Sequence, residues 1–469
     1  MDPTQNNPEI EDKTLSLMDH QLSHEQVKAF AQSVLDRLPE GGLFAGHEWR
    51  VGTEPFWLDE GKVSELENMG RILLSFYQAL NRLYRASVEG KQPAWIAHWL
   101  ELGKPEPVIQ WQRSNRFKTA VPRVIRPDLL WTERGFRLTE MDSVPGGIGL
   151  TAWMQQVYGE TFPTLIGGKD GMLKGFASIF DQATEAKILF SEEAATYQPE
   201  MEWLVDCWNR TGQAPNMKVE SPGWHADKIE NNSAVYRFFE MFDWEQMPEM
   251  GRLWDRAMNR ELTVTPPPKT FLEEKMGMAL FWNGRLEEYW IRELGQGFVR
   301  RLREWIPYTW LVDPAPMPPH AAIPELNLTD WDQLKKLSQK DRRFALKISG
   351  FSEEAWGSRG VYIGSDLSAT EWSAAVDKAL QGFESAPYIL QRFENTELTP
   401  MRWWDFEAGT EKVDSGRARL CPYYFVEGAG DQAKAKWGGA LATVCPADKK
   451  IIHGMSDATL IPAAMRPKI

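Results

Sequence analysis

The stretch that most restricts the fold is "VIRPDLLWTERGFRLTEMDSVPGGIG", residues 124–149. Two runs rich in aliphatic and aromatic residues flank a turn at Thr132 to Gly135, the pattern of an antiparallel hairpin. Side chains of a strand alternate between its faces. Arg126 and Asp128 therefore share a face of the first strand, and Phe136, Leu138, Glu140 and Asp142 share one of the second. Pairing through the turn would place Arg126, Asp128, Glu140 and Asp142 on one surface. Three carboxylates so placed repel one another unless they are separated, protonated or neutralised by cations. Hard oxygen ligands suit Mg²⁺, which takes few carboxylates and completes its shell with phosphate oxygens and water. A solvated polar edge with surface ion pairs is the competing account.

The rest of the chain must support that hairpin. Its 469 residues suit two or three domains or one large composite enzyme fold, and 42% hydrophobic content suffices for a large core. The net charge of −13 argues against nucleic acid or an anionic membrane surface as the main partner. No run of about 18 apolar residues exists, so no membrane span is expected. The N-terminus lacks the basic start and apolar run of a signal peptide. Cys207, Cys421 and Cys445 form no disulfide or zinc spacing. A cytoplasmic protein is expected, with its oligomeric state left open.

Four regions follow from the pattern: a flexible tail (1–20), a helical N-terminal region (21–107), the hairpin with a substrate-binding α/β lobe (108–270), and a nucleotide-binding region with a lid (271–469). "VSELENMGRILLSFYQALNRLYRASVEG" has apolar residues at three- and four-residue steps and stops at Gly90. Between 151 and 270, "GGKDGMLKGFASIFDQATEA" is expected as helix, and "AKILFSEEA" and "MEWLVDCW" as strands. "LEEKMGMALFWNGRLEEYWIRELGQGFVRRLREW" is expected as helix, and residues 343–464 as strands with one helix.

Three further constellations bear on chemistry. In "RRFALKISGFSEEAWGSRGVYIG" an apolar strand delivers Lys347, and a loop with Gly350, Gly357, Ser358 and Gly360 leads to a second strand. Glycines let backbone N–H groups approach phosphate oxygens, and lysine adds a point charge. A long hairpin loop with a surface lysine is the alternative. "YILQRF" carries a buried strand into Gln391, where backbone groups at Tyr388 to Leu390 could meet an adenine edge. "SGRARLCPYYFV" sets Arg417 and Arg419 two apart on a strand, and Lys436 precedes a Gly-Gly turn. Guanidiniums suit carboxylate or phosphate recognition, although a surface charge ladder has the same pattern.

Together these blocks resemble ATP-grasp ligases of the glutathionylspermidine synthase type and, more distantly, eukaryotic glutathione synthetase. "RPDLLW…TEMDS" is similar to the family's Arg-x-Asp and Glu-x-Asn strands, and Asp128 to Glu140 is a step of 12. "EEKMGMALFW" resembles its lysine-bearing helix, and "FALKISG…GSRGV" with "YILQRF" its second lysine, flap and adenine segment. The likeness covers most of residues 50–465, in these blocks above all. It implies an α/β (α+β) ATP-grasp-like fold with antiparallel sheets and a glycine-rich lid, in permuted order. It also implies an ATP-dependent carbon–nitrogen ligase that acts through an acyl phosphate on small carboxylate and amine substrates. Asp128, Glu140 and Asp142 would bind Mg²⁺, with two ions expected. Lys275, Lys347, Ser358, Gly360, Gln391, Lys436 and the Tyr388–Leu390 backbone would contact ATP. Arg126, Arg417 and Arg419 would serve the acyl group and phosphates. Asp142 stands where the family has Asn.

Overall fold

The computed structural model describes residues 22–47, 49–316, 321–355, 359–453 and 457–468. The expected tail, residues 1–20, and the flap residues Gly357 and Ser358 lie outside them.

The described chain begins with α1 (His24–Asp36), started by a capping box between Ser23 and Gln26. Strands β1 (Arg50–Val51) and β2 (Phe56–Leu58) precede α2 (Glu60–Val88), α3 (Ala94–Glu101) and α4 (Glu106–Arg113). Helix α2 ends just before Gly90, whose φ of +73° is costly for residues with a Cβ. The hairpin follows as β3 (Val124–Thr132) and β4 (Gly135–Asp142), then α5 (Ile148–Tyr158) and α6 (Gly171–Ser178). An α/β segment comes next: β5 (Glu185–Phe190), α7 (Gln198–Asn209), β6 (Asn216–Glu220), β7 (Ala234–Phe238), α8 (Met250–Met258) and β8 (Thr263–Thr265). The remainder runs α9 (Met276–Trp282), α10 (Glu287–Trp305), β9 (Thr309–Leu311), β10 (Phe344–Ile348), β11 (Val361–Ile363), α11 (Ala369–Gln381) and β12 (Tyr388–Arg392). It closes with β13 (Leu398–Asp405), β14 (Thr410–Glu427), β15 (Lys434–Pro446) and β16 (Thr459–Met465).

Two expectations change. "MEWLVDCW" is helical, within α7. Its buried residues Met201, Leu204, Val205 and Trp208 fall at helical steps, a period that the short apolar run conceals. The long pattern after residue 271 is two helices, and α10 itself kinks at Gly295, whose φ is +77°.

The strands form three sheets. The largest has eight strands in the order β1-β16-β15-β14-β3-β4, with β13 also on β14 and β2 on β16. An antiparallel sheet has the order β11-β10-β12-β9, and a parallel sheet the order β6-β5-β7-β8. The outcome is a mixed α/β fold with one antiparallel sheet, one parallel sheet and a largest sheet that is antiparallel except where β1 and β2 join β16 in parallel. Three contacts bring the sheets together at the open end of the hairpin. Lys347 of β10 donates to the Thr139 carbonyl of β4 at 3.4 Å. Tyr236 of β7 donates to the Ser143 carbonyl just past β4 at 3.4 Å. Lys275, at the start of α9, pairs with Glu140 at 2.6 Å. Among the described residues no helix is long and apolar enough to cross a membrane.

Candidate active site

The hairpin register sets Arg126 opposite Asp142 and Asp128 opposite Glu140. It then shifts, so that Leu129 faces Leu138 and Thr139 is the extra residue of a β-bulge. Directly opposed residues share a face, so the bulge separates two sets that simple alternation would merge. Phe136 and Leu138 are buried in the core, whereas Glu140 and Asp142 join Arg126 and Asp128 on the other face. The expected shared face of Phe136, Leu138, Glu140 and Asp142 is corrected accordingly.

Cations of the protein itself lie between the acids. Arg126 places Nη2 3.0 Å from Asp142 Oδ2 and Nε 3.2 Å from Asp128 Oδ1, while Nη1 donates to the Gly146 carbonyl at 3.2 Å. Arg419, on the adjacent strand β14, donates to Asp128 Oδ2 at 2.8 Å, and the Cys421 thiol donates to Asp128 Oδ1 at 3.4 Å. Burial alone would raise the Asp128 pKa, but Arg419 and Arg126 outweigh it and hold the carboxyl below its usual range. Asp142 goes the other way: burial, with Glu140 and Asp128 beside it, raises its pKa against the pull of Arg126.

Two lysines arrive from outside the hairpin. The side chain of Lys275 is 6% exposed and that of its partner Glu140 39%, so the pair sits at the wall of an open cleft. Lys347 is buried and donates to Gln391 Oε1 at 2.8 Å. Burial and the neighbouring Lys275 push its pKa down to about 8, against the pull of Glu140 and Asp128. Gln391 spends its amide nitrogen on Thr309 Oγ1 at 3.2 Å, so it orients Lys347.

Other expected site residues lie elsewhere. Strand β12 is interior, paired with β10 on one edge and β9 on the other, and Val312 N–H bonds the Tyr388 carbonyl. The backbone at Tyr388 and Leu390 is therefore committed to the sheet and offers no free edge to an adenine, and both side chains are buried. Arg417 donates to the carbonyls of Ala447 and Thr396, tying two loops to β14. Lys436 is 62% exposed, paired with Glu427 at 2.6 Å. It lies roughly 20 Å along β15 from the residue facing Arg419, at about 3.4 Å per residue. Gly360 presses against β10: its carbonyl accepts from Ile348 N–H, and a Cβ there would meet Ile348 Cγ2 at 2.6 Å.

The sequence reading missed several acids near the cleft. Glu240 lies at its edge, and its pKa is raised by burial and by Asp142. Asp243 is buried with Oδ1 unpartnered, and burial lifts its pKa to about 6. Glu200 accepts from Gly147 and Leu150 N–H, each at 2.7 Å, and so closes the start of α5; burial lifts its pKa to about 7. Glu240 had a signal, since in "SAVYRFFE" a mostly apolar run that carries Arg237 ends on an acid, as "FALK" ends on a lysine.

These shifts set the response of the unliganded chain to pH. An acid with a raised folded pKa keeps its proton longer when folded, so stability falls as pH rises from its unfolded to its folded value. Asp243 and Glu200 act between about pH 4 and pH 7. A lysine with a lowered folded pKa does the reverse above that value, and burial lowers Lys269 to about 7 and Lys347 to about 8. Thermal unfolding across pH 5–10 is expected to show a stability minimum between pH 7 and 8. A maximum there would contradict these environments.

The donor set fits a cation with few protein ligands. The oxygens of Asp128 are occupied by Arg126, Arg419 and Cys421, which leaves Glu140 and Asp142 as the hairpin carboxylates that line the cleft, beside Glu240, Glu273 and Glu274 from other elements. Among the described residues, no three His, Cys, Asp or Glu side chains are arranged to hold an ion by themselves. Phosphate oxygens and water would have to complete a Mg²⁺ shell, the habit of that ion.

No protein-family model and no curated protein matches the chain. Among solved structures, a glutathione synthetase-like effector from Globodera pallida, in its apo form, aligns over 98% of this chain and 98% of its own, with a TM-score of 0.56 and 10% identity. The two chains share a fold. A proposed gamma-glutamylcysteine synthetase from Methylobacillus flagellatus KT is more distant: TM-score 0.40, 13% identity, 83% of this chain and 88% of that one.

Proposed function

We propose that the chain is an ATP-dependent ligase that joins a small carboxylate to an amine through an acyl phosphate, releasing ADP and phosphate. The observation that carries this reading is the arrival of Lys275 and Lys347, from two separate elements, at the hairpin that bears Glu140 and Asp142. Two buried cations beside two partly exposed carboxylates suit a triphosphate with its metal. The fold shared with a glutathione synthetase-like protein agrees with it.

In this reading Lys275 and Lys347 hold phosphate oxygens, and Glu140 and Asp142 hold Mg²⁺. Bound there, Mg²⁺ would neutralise charge on the phosphoryl group in transfer. Arg126 and Arg419, fixed by Asp128, keep a positive wall behind the acids and favour the oxyanion of the acyl step. A carboxylate is a poor acyl donor, and phosphorylation supplies its leaving group. The loop between β10 and β11 would close over the cleft and keep water from the acyl phosphate.

A second reading is a nucleotide-binding scaffold without turnover. The pairing of Asp128, Glu140 and Asp142 each with a protein cation favours it, since a neutralised site is stable without ligand. The test is phosphate release from purified protein with ATP, Mg²⁺ and pooled amino acids and amines. ADP and phosphate that depend on the pool support the ligase. AMP with pyrophosphate contradicts the acyl-phosphate route, and ATP binding without turnover supports the scaffold.

A further inference from the structure

Lys275 and Lys347 lie on elements far apart in sequence, and their ammonium groups must be registered to well under an ångström to share one phosphate chain. Ser349 sits between them. It is fully buried, two residues past Lys347, where its N–H extends the β10–β12 pairing to the Pro387 carbonyl at 2.8 Å. Its carbonyl accepts from Lys275 N–H at 2.9 Å, and its Oγ accepts from Met276 N–H at 3.0 Å. Helix α9 has no side-chain cap from its own segment, so the cap is supplied by β10. One residue further on, Gly350 is packed so closely on Glu274 that a Cβ would lie 2.2 Å from its Cγ. Glu274 is in turn buried against Lys104 at 2.7 Å. Residues 274–276 and 349–350 are thus fastened at consecutive positions.

We infer that Ser349 is a positioning residue that sets the spacing between the two lysines, acting on bound nucleotide through Lys275. The inference rests on the proposed ATP site. Its backbone bond to Lys275 survives substitution, whereas the Oγ bond to Met276 does not. Loss of that acceptor leaves a buried N–H unpaired and frees the first turn of α9 to shift.

The test is calorimetric titration of the full chain with Mg²⁺ and a non-hydrolysable ATP analogue. Ser349→Ala, and the nearly isosteric Ser349→Cys in case the alanine variant folds poorly, are expected to raise Kd about tenfold, and Ser349→Thr to restore most of it. In a Lys275→Ala background the residue at 349 should change Kd less than about twofold, because the route of its effect is gone. A loss of equal size in both backgrounds, which general destabilisation would give, overturns the inference, as does an unchanged Kd in both single variants. Wild-type protein that fails to bind the analogue overturns the ATP site and this inference with it. Tight wild-type binding with an additive cycle overturns the inference alone.

Discussion

Lys347→Met is expected to lower nucleotide-dependent phosphate release by 10²-fold or more, of the order seen when one charged group facing a transition-state charge is removed, while the unliganded protein unfolds at an unchanged or higher temperature. The two halves of this prediction have one cause. Lys347 is buried with a neutral amide, Gln391, and a backbone carbonyl as its hydrogen-bond partners, and burial pushes its pKa down to about 8. A charge held in that way costs folding free energy, and methionine fills the space without it. A structural lysine would behave in the opposite way. Phosphate release together with thermal unfolding, with and without Mg²⁺–ATP, reads both halves. Stabilisation by the nucleotide should vanish with turnover. A variant that loses stability and keeps turnover would remove Lys347 from the site.

Arg126→Met is expected to destabilise the fold by about 3–5 kcal/mol by urea unfolding. Arg126 meets Asp128 and Asp142 at once and ties the strand to the Gly146 carbonyl, so its removal leaves the buried Asp128 and the half-buried Asp142 short of a cation. Asp128 keeps Arg419, but among the described residues Asp142 forms no other ion pair. Addition of Asp142→Asn to Arg126→Met should therefore recover about 1–2 kcal/mol, a coupling typical of residues in direct contact. No recovery would mean that Arg126 acts chiefly through Asp128.

The hairpin was legible because its strands carry turn chemistry and alternation in one short window; the turn register alone would set Asp128 opposite Thr139, and the bulge moves it to Glu140. The bulge at Thr139 was not legible. It inserts one residue with no signature of its own, and it decides which side chains face the core. Lys347 was legible as a charge at the end of an apolar strand, but the hydrogen bond it donates to Gln391 was not, because an interior strand and an edge strand with the same apolar run look alike. The placement of β9 on the far edge of β12 depends on chain some 80 residues upstream. Arg417 and Arg419 share a strand and a spacing, yet only Arg419 reaches Asp128; the loops at Thr396 and Ala447 that capture Arg417 are invisible to periodicity. The hairpin acids raised the question of what allows them to sit together. Arg126, Arg419 and Lys275 answer it within the chain itself, and a cation shared with phosphate is the further step proposed for the cleft.

The most direct measurement of that step is calorimetric titration of the wild-type chain with a non-hydrolysable ATP analogue, with Mg²⁺ present and absent. The site described here predicts saturable one-to-one binding that weakens at least tenfold without Mg²⁺, as Glu140 and Asp142 then face bare phosphates, and that is lost in Lys347→Met. Absence of binding at millimolar analogue, or binding indifferent to both Mg²⁺ and Lys347, would contradict it.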